Sequence, residues 1–318
     1  MAAKNLLLFA STIDTDVARI RAEMPELNIT VGDRSAPDAP DLVRQAHIIY
    51  GHIPRDLFVH AEQLEWIHLM SQGADNMLYQ ELVESPVILT CGRGSFSQAC
   101  AEHALMMTLA LYRDLPLLLR HQRAASWRTE PVEFDLLAGK TVASLGTGSI
   151  GDCVAKLYTA FGCRMLGFNR TGRNLPLFEK VYAGRDGLHE LLAESDVVVN
   201  SLPLTSTTYH IIGPAECAAM KPGTLFINVG RGGTVDERSL IDAIQSGRII
   251  GAGLDVTEHE PLSPDSVLWR MDNVLVTSHT GGRGGDDIGL SFNLLVENLR
   301  RYLDGKPLLH QVDKQAGY

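Results

Sequence analysis

An arginine set among glycines has the clearest chemical potential in this chain. Arg231 lies in the segment Asn228–Gly233 (NVGRGG), directly after the apolar run Thr224–Ile227. Glycines let the backbone approach a ligand closely, and a guanidinium offers a planar fork of donors that matches a carboxylate. Because ligands bind at the carboxyl ends of parallel strands, Arg231 is a candidate carboxylate anchor. The alternative is a solvated arginine in a glycine-rich turn.

A histidine and a group of carboxylates follow the next two apolar runs. His279 comes after the last run, and Glu258, His259 and Glu260 come after the one before it. Reduction of a ketone by hydride needs an acid for the developing alkoxide, and a histidine held by a carboxylate can supply that proton near neutral pH. Spacing alone does not choose the partner of His279. No zinc-ligand spacing occurs among the 11 histidines, so we expect no metal.

A glycine-rich loop after the run Thr141–Leu145 indicates dinucleotide binding. The segment GTGSIG follows a predicted strand and opens a predicted helix, so its N–H groups and the positive helix end could hold a pyrophosphate. The expected cofactor contacts in this loop are Gly146, Gly148, Ser149, Ile150 and Gly151.

The end of the second predicted strand of this domain predicts which dinucleotide is used. NAD sites usually place an acid there for the ribose hydroxyl, whereas this chain has Asn169, Arg170, Thr171 and Arg173. Two arginines and a hydroxyl could clamp the additional phosphate of NADP. We therefore predict that NADP(H) is preferred, with NAD(H) possible. A solvated basic turn is the alternative.

Further cofactor contacts are predicted at the ends of the following strands. They are Leu202, Pro203, Val229, Gly230 and Asp255. Asp255 could hold the carboxamide of a nicotinamide ring or cap its own turn.

Apolar runs alternate with helical patterns along almost the whole chain, which predicts an α/β fold with doubly wound parallel sheets. The candidate strands of the first sheet are Leu6–Phe9, Asn28–Val31, Ile48–Tyr50, Trp66–Leu69 and Val87–Thr90. Those of the second are Thr141–Leu145, Arg164–Phe168, Val197–Asn200, Thr224–Ile227, Ile250–Leu254 and Val274–Thr277. One long helix is predicted over 97–123, an exposed connection over 126–138, and a last helix from an N-cap at Asp286 to about Tyr302.

Composition limits the classes of partner. The 318 residues are 45% hydrophobic and carry a net charge of −10, which argues against nucleic acid or anionic membranes as partners. Five cysteines without a CxxC pair favour a reducing compartment, so a cytoplasmic protein is expected. The most apolar long segment, 104–119, is interrupted by Arg113, Asp114 and Pro116 and is not expected to span a membrane.

Taken together, these motifs resemble the D-isomer-specific 2-hydroxyacid dehydrogenases, in particular the glyoxylate and hydroxypyruvate reductase branch. The resemblance covers most of the chain and is tightest from Leu137 to His279. It includes SDVV at Ser195–Val198, LPLT at Leu202–Thr205 and MKPG at Met220–Gly223.

The resemblance implies roles for the candidate residues. Arg231 would bind the 2-oxo acid, His279 would be the acid and base, and Glu260 would pair with His279. Backbone N–H groups of Gln72 and Gly73, in the segment Met70–Asn76, would bind the substrate carboxylate.

The resemblance also implies the domain arrangement. A Rossmann cofactor domain (96–285) would be inserted into a flavodoxin-like substrate domain made of 1–95 and 286–318, and two copies would form a homodimer through the cofactor domain. The last helix would return to the first sheet.

Three residues depart from the family pattern or are left unassigned by it. Arg93 stands in a segment where many members have an asparagine, and it could reach an acidic substrate tail or be solvated. Ser278 replaces a usual proline. His52 follows a strand of the first domain and could face the cleft or have no role there.

The expected function is reduction of a small 2-oxo acid, such as glyoxylate or hydroxypyruvate, to the D-2-hydroxy acid with NADPH. A dinucleotide-sensing binding protein resembling corepressors of this family, and a dehydrogenase of an inorganic anion such as phosphite, are the alternatives.

Overall fold

The computed structural model describes residues 3–9, 14–127, 134–285 and 287–318. The predicted N-cap Asp286 and part of the predicted connection 126–138 lie outside these residues. The chain divides into two compact units, the first made of Met1–Phe96 and Gly285–Tyr318 and the second of Ser97–Gly284.

In chain order the strands and helices are β1 (Lys4–Leu8), α1 (Asp14–Glu23), β2 (Leu27–Val31), α2 (Ala39–Gln45), β3 (Ile48–Tyr50), α3 (Arg55–Phe58), β4 (Trp66–Leu69), α4 (Gln80–Glu84), β5 (Ile88–Cys91), α5 (Ser97–Tyr112), α6 (Leu115–Arg123), β6 (Thr141–Leu145), α7 (Ser149–Ala160), β7 (Arg164–Phe168), β8 (Lys180–Tyr182), α8 (Gly184–Glu194), β9 (Val197–Asn200), α9 (Pro214–Ala219), β10 (Thr224–Asn228), α10 (Glu237–Gln245), β11 (Ile249–Leu254), β12 (Val274–Val276) and α11 (Asp287–Leu303).

The first unit is built on a parallel sheet with the strand order β2-β1-β3-β4-β5. This is the flavodoxin-like order. The last helix of the chain, α11, packs on this sheet, since its Phe292 and Leu295 share an apolar cluster with Leu6 and Trp66. The second unit is therefore an insertion into the first.

The second unit is built on a parallel sheet with the order β12-β11-β10-β9-β6-β7-β8. Strand β6 pairs with β7 on one side and β9 on the other, so the chain reverses its direction of winding at β6. This is the Rossmann order, and its ligands bind outside the carboxyl ends of the strands at the reversal. Every residue of β9 and β10 is buried, because helices cover both faces of the sheet. The predicted fold class is confirmed.

Two sequence-based element assignments were wrong. The single helix predicted over 97–123 is two helices, α5 and α6, separated at Asp114, whose backbone is left-handed (φ 47°). Pro116 lacks an N–H group and is tolerated in the first turn of a helix but not in its interior, so a new helix begins at Leu115. Strand β8 was not predicted because three residues at the edge of the sheet give no readable periodicity.

Within the described residues, no helix combines the length and the apolar character needed to cross a bilayer. The same residues contain no group of three or more potential His, Cys, Asp or Glu ligands arranged to hold a metal ion.

The glycine loop after β6 provides a test of packing at single-atom scale. A Cβ on Gly151 would lie 2.1 Å from the carbonyl oxygen of Gly146, whereas a Cβ on Gly148 would meet no atom within 4 Å. We expect Gly151→Ala to lower the free energy of unfolding by about 1–3 kcal/mol, measured by urea denaturation of the protein without cofactor.

Gly148→Ala is the matched control for this prediction. It should change the free energy of unfolding by no more than about 0.5 kcal/mol, because a poorer N-cap is offset by the lower entropy of the unfolded chain. Equal stability of the two variants would contradict the packing argument.

Candidate functional site

Three neighbouring strands of the second sheet end at the same level and carry the three candidate catalytic residues. Asn228 of β10 is in register with Leu254 of β11, which is in register with Val276 of β12. The turns that follow contain Arg231, Glu260 and His279 respectively. Parallel pairing therefore brings together groups that lie up to 48 positions apart in the sequence.

The turn that carries Arg231 is fixed by close backbone packing. A Cβ on Gly232 would lie 1.8 Å from the carbonyl oxygen of Thr257, so only glycine lets the turn pass the chain that follows β11. The hydroxyl of Thr234 donates to the Arg231 carbonyl (2.6 Å), and the buried amide of Asn200 donates to Thr234 Oγ1 (2.7 Å). The Arg231 guanidinium donates to the carbonyl of Gly230 (2.9 Å) and is partly exposed.

His279 pairs with Glu260. The distance from His279 Nδ1 to Glu260 Oε2 is 2.7 Å, and both side chains remain substantially exposed, at 47% and 39%. A carboxylate is acceptor-only, so Nδ1 carries a proton toward Glu260 and Nε2 is the ring nitrogen left to reach a substrate oxygen. The Thr257 N–H donates to the other carboxylate oxygen of Glu260 (3.3 Å).

Glu258, the other glutamate that competes for the partner role, contacts a different histidine. Glu258 Oε1 lies 2.7 Å from Nε2 of His210, and the backbone carbonyl of His259 accepts from the Thr257 hydroxyl (2.9 Å). The structure thus brings Glu260, and not Glu258, to His279. The roles of these residues remain proposals.

Asp255 at the end of β11 organises the turn that contains His279. It is only 4% exposed, and its carboxylate accepts hydrogen bonds from the Thr277 hydroxyl (2.6 Å), the Thr280 N–H (2.9 Å) and the Gly281 N–H (2.8 Å). Its backbone carbonyl accepts from the His279 N–H (2.8 Å). Of the two roles considered for Asp255, these contacts are those of a turn cap; its contact with a cofactor stays a prediction.

His103 of α5 also lies beside this turn, and Cys100 is buried on the same helix; neither residue was identified from the sequence. His103 Nε2 is 2.8 Å from the Thr277 hydroxyl and 3.5 Å from Asp255 Oδ1. Burial raises the pKa of the Cys100 thiol to about 11, so this thiol stays protonated and is not a nucleophile. Both residues lie in an apolar helical pattern, and nothing local distinguishes them from core residues.

The loop after β6 has the features that a pyrophosphate requires. Gly146 has φ +95°, a conformation that favours glycine, and Gly148 is the N-cap of α7 without a side-chain cap. Open space above Gly148 lets a ligand approach the backbone at the start of α7, where partial positive charge favours phosphate. Ser149 and Ile150 form the first turn of α7. The residues present fit a dinucleotide.

The turn after β7 is built around an amide where an acid is usual for NAD. Asn169 Oδ1 accepts from the N–H groups of Thr171 (3.0 Å) and Gly172 (2.8 Å), and its Nδ2 donates to Thr147 (3.0 Å). Arg170 and Arg173 are exposed on this turn. Residues 169–173, all of them described, contain no carboxylate that would repel a ribose phosphate, and the preference for NADP stays a prediction.

The other predicted cofactor residues lie in the turns after β9 and β10. The N–H of Leu202 donates to Asn200 Oδ1 (3.2 Å), and the N–H of Gly230 donates to Asn228 Oδ1 (3.1 Å). A Cβ on Gly230 would lie 2.8 Å from the carbonyl oxygen of Leu202, so the turn Leu202-Pro203 and the turn Val229-Gly230 run directly against each other.

The candidate residues of the first unit lie in turns after its own parallel strands. Gln72 and Gly73 follow β4, His52 follows β3, and Arg93 follows β5. The Ser71 hydroxyl donates to the Gly73 carbonyl (2.7 Å) and lies 3.4 Å from His52 Nε2. Burial lowers the pKa of His52, so its ring is neutral near pH 7. Arg93 is partly exposed.

Comparison with known proteins relates this geometry to an enzyme family. Residues 105–281 match the family model described as D-isomer specific 2-hydroxyacid dehydrogenase, NAD binding domain. A glyoxylate reductase of Thermococcus gammatolerans is 34% identical over 272 residues, which cover 83% of this chain and 80% of that protein.

Two solved structures are similar over the whole chain. A D-isomer specific 2-hydroxyacid dehydrogenase from Xanthobacter autotrophicus Py2, in complex with NADPH and MES, is 31% identical with a TM-score of 0.86 and full coverage of both chains. An NADPH-dependent glyoxylate/hydroxypyruvate reductase from Sinorhizobium meliloti, in complex with NADP and sulfate, is 27% identical with a TM-score of 0.85, covering 99% of this chain and 100% of that one. The matched segment contains the glycine loop, Arg231, Glu260 and His279, and this chain belongs to the D-isomer specific 2-hydroxyacid dehydrogenase family, whose nicotinamide-dependent oxidoreductase chemistry it shares.

Proposed function

We propose that this protein reduces a small 2-oxo acid of the glyoxylate or hydroxypyruvate type to the D-2-hydroxy acid, with NADPH as the preferred reductant. The observation that carries the proposal is the 2.7 Å contact between His279 and Glu260 in the turns beside that of Arg231. The NADPH-dependent relative from Sinorhizobium meliloti and the glyoxylate reductase from Thermococcus gammatolerans support this substrate class.

Each residue of the proposed site has a separate role in carbonyl reduction. Bound NADPH supplies a hydride to the carbonyl carbon, and the loop Gly146–Gly151 would hold its pyrophosphate. Nε2 of His279 donates the proton to the carbonyl oxygen, which balances the added hydride and completes the alcohol. Glu260 keeps the ring oriented through Nδ1, and Arg231 binds the carboxylate and polarises the carbonyl. In the first unit, the amides of Gln72 and Gly73 are the proposed donors to the substrate carboxylate.

The proposal also concerns recognition of the cofactor and assembly of the chain. The guanidinium groups of Arg170 and Arg173, with the hydroxyl of Thr171, would bind the ribose phosphate that distinguishes NADPH from NADH. Two copies would form a homodimer, which light scattering coupled to size exclusion would detect.

A panel of 2-oxo acids tests the reaction directly. NADPH oxidation should be fastest with a short substrate such as glyoxylate or hydroxypyruvate, and the product should be the D isomer by chiral chromatography. Phosphite with NADP is added as a separate arm. NADPH binding by a folded protein without turnover of any 2-oxo acid would refute the proposal and favour a dinucleotide sensor, whereas turnover of phosphite would favour the anion dehydrogenase.

Replacement of the proposed acid should act mainly on turnover. We expect His279→Gln to lower kcat by about 10²–10⁴-fold, the usual contribution of a positioned general acid, with a smaller change in KM. Glu260→Gln should also lower kcat, because the amide can present its NH₂ group to the ring, and Glu260→Asp should recover part of the loss. Steady-state kinetics with glyoxylate measure both effects.

A second histidine–glutamate pair provides the matched control. His210 and Glu258 lie 2.7 Å apart in the same unit but outside the proposed triad. His210→Gln and Glu258→Gln should therefore retain kcat close to the wild-type value. Equal losses in the two pairs would mean that the kinetic effects report general stability and not proton transfer.

Cofactor preference should depend on the turn after β7. The wild type should have a higher kcat/KM for NADPH than for NADH, and Arg173→Ala should lower the NADPH value by about tenfold or more, the worth of one charge-assisted hydrogen bond. The value for NADH should change little. Arg238→Ala removes a charge from α10, where Arg238 is 82% exposed, and should leave both values unchanged. An NADH preference in the wild type would contradict the assignment.

A further inference from the structure

We infer that His103 of α5 is a positioning residue for His279 and acts through Thr277 and Asp255. The inference rests on the proposed role of His279 as the acid and base. His103 lies 176 positions before His279 in the sequence. Its nearest polar partners are the two residues that hold the turn from Thr277 to Gly281 in place.

The hydrogen bonds that link His103, Thr277 and Asp255 have only one possible set of donors and acceptors. The Thr277 hydroxyl donates its only proton to Asp255 Oδ1 at 2.6 Å. The 2.8 Å contact between Thr277 Oγ1 and His103 Nε2 therefore requires the histidine to donate. Nε2 of His103 must carry a proton, and the ring donates into a chain that ends at a buried carboxylate.

Both carboxylate oxygens of Asp255 accept hydrogen bonds from the turn Thr277–Gly281. Oδ1 accepts from the Thr280 N–H and the Thr277 hydroxyl, and Oδ2 accepts from the Gly281 N–H. A Cβ on Gly281 would lie 2.7 Å from Oδ2 and 3.2 Å from the His103 ring, so the turn lies tightly against both groups. A change in the position of the carboxylate would move the backbone on both sides of His279.

His279 has a backbone conformation that needs such support. Its φ is +51°, in the left-handed region that residues other than glycine occupy at an energetic cost. Its N–H donates to the Asp255 carbonyl at 2.8 Å, so the same residue fixes the turn through its main chain and its side chain. The left-handed backbone directs the imidazole toward Glu260, and loss of the clamp would release that orientation.

The environment of His103 gives it no other evident polar function among the described residues. Its side chain is only 17% exposed on a helix whose neighbouring residues include Ala101, Ala104 and Leu105, all buried. A polar ring is costly to bury unless it is hydrogen-bonded, and the bond to Thr277 offsets that cost. A leucine of similar volume could fill the space but could not donate to Thr277.

A double-mutant cycle tests whether His103 acts through His279. We expect His103→Leu to lower kcat about tenfold, since displacements well under 1 Å already slow proton transfer, while KM for the 2-oxo acid changes less. His103→Gln, whose amide can donate at the Nε2 position, should recover most of the loss. In a His279→Gln background, His103→Leu should cause little further loss. The same fold-loss in both backgrounds, or equal kcat in the Leu and Gln variants, would overturn the inference.

Hydrogen exchange separates this inference from the proposed function. The amides of Thr280 and Gly281 should exchange faster in His103→Leu than in the wild type, and their protection should return in His103→Gln. Unchanged exchange would overturn the role of His103 whether or not the enzyme reduces any 2-oxo acid. If the wild type is inactive with the substrate panel, the proposed reaction fails, and the exchange result still decides whether His103 supports the turn.

Thr108→Val controls for a loss of stability without a change in positioning. Thr108 is on the same helix, is fully buried, and its hydroxyl lies 2.6 Å from that of Tyr158. This variant should lower the melting temperature and leave both kcat and the exchange of Thr280 and Gly281 close to wild type. A loss of kcat like that of His103→Leu would assign the effect to α5 as a whole and overturn the specific role of His103.

Discussion

The site depends on the level at which three parallel strands end. β10, β11 and β12 are in register through Asn228, Leu254 and Val276, so the turns that follow them meet at one edge of the sheet. Parallel strands are paired along their length and covered on both faces, which makes this edge rigid. A one-residue slip would turn the side chains of a strand to the opposite face and separate Arg231, Glu260 and His279.

Close packing of the backbone fixes the positions of the turns that follow these strands. Gly232 passes the carbonyl of Thr257 at a distance that no side chain permits, and Gly281 does the same beside the carboxylate of Asp255. Buried hydrogen bonds add direction to this packing: Asn200 links Asn228 to Thr234 below the turn of Arg231. The glycines in these turns allow chains to approach one another, and the buried polar groups then fix how they do so. Rigid support of this kind lets two substantially exposed side chains, His279 and Glu260, hold a fixed contact.

The same sheet places the cofactor loop and the reacting groups on one edge. The reversal of winding at β6 leaves space above the start of α7, where Gly148 offers backbone and partial positive charge to a phosphate. The turn after β7 adds two exposed arginines and an amide that is occupied in holding its own loop. Recognition of the dinucleotide and chemistry at the carbonyl thus use the ends of different strands, so that either can change by substitution in one turn without altering the sheet.

The sequence by itself determined the fold class, the glycine loop and the segments that carry the reacting residues. These features are local: apolar runs of strand length, glycines at fixed spacing and polar residues directly after a strand can be read without knowing what lies nearby. The break at Asp114 was missed because a single left-handed residue hardly changes the apolar pattern of a helix. The edge strand β8 was missed because its three residues are too few to show a period. From the sequence, Glu260 could be preferred to Glu258 only by resemblance to the family, since the two glutamates are two positions apart in the same segment after β11. Only the tertiary structure decided that choice, as it did the contact of His103 with Thr277 and Asp255. The physical reason is that a hydrogen bond depends on atoms brought within about 3 Å by the packing of distant segments, and sequence spacing does not encode that distance.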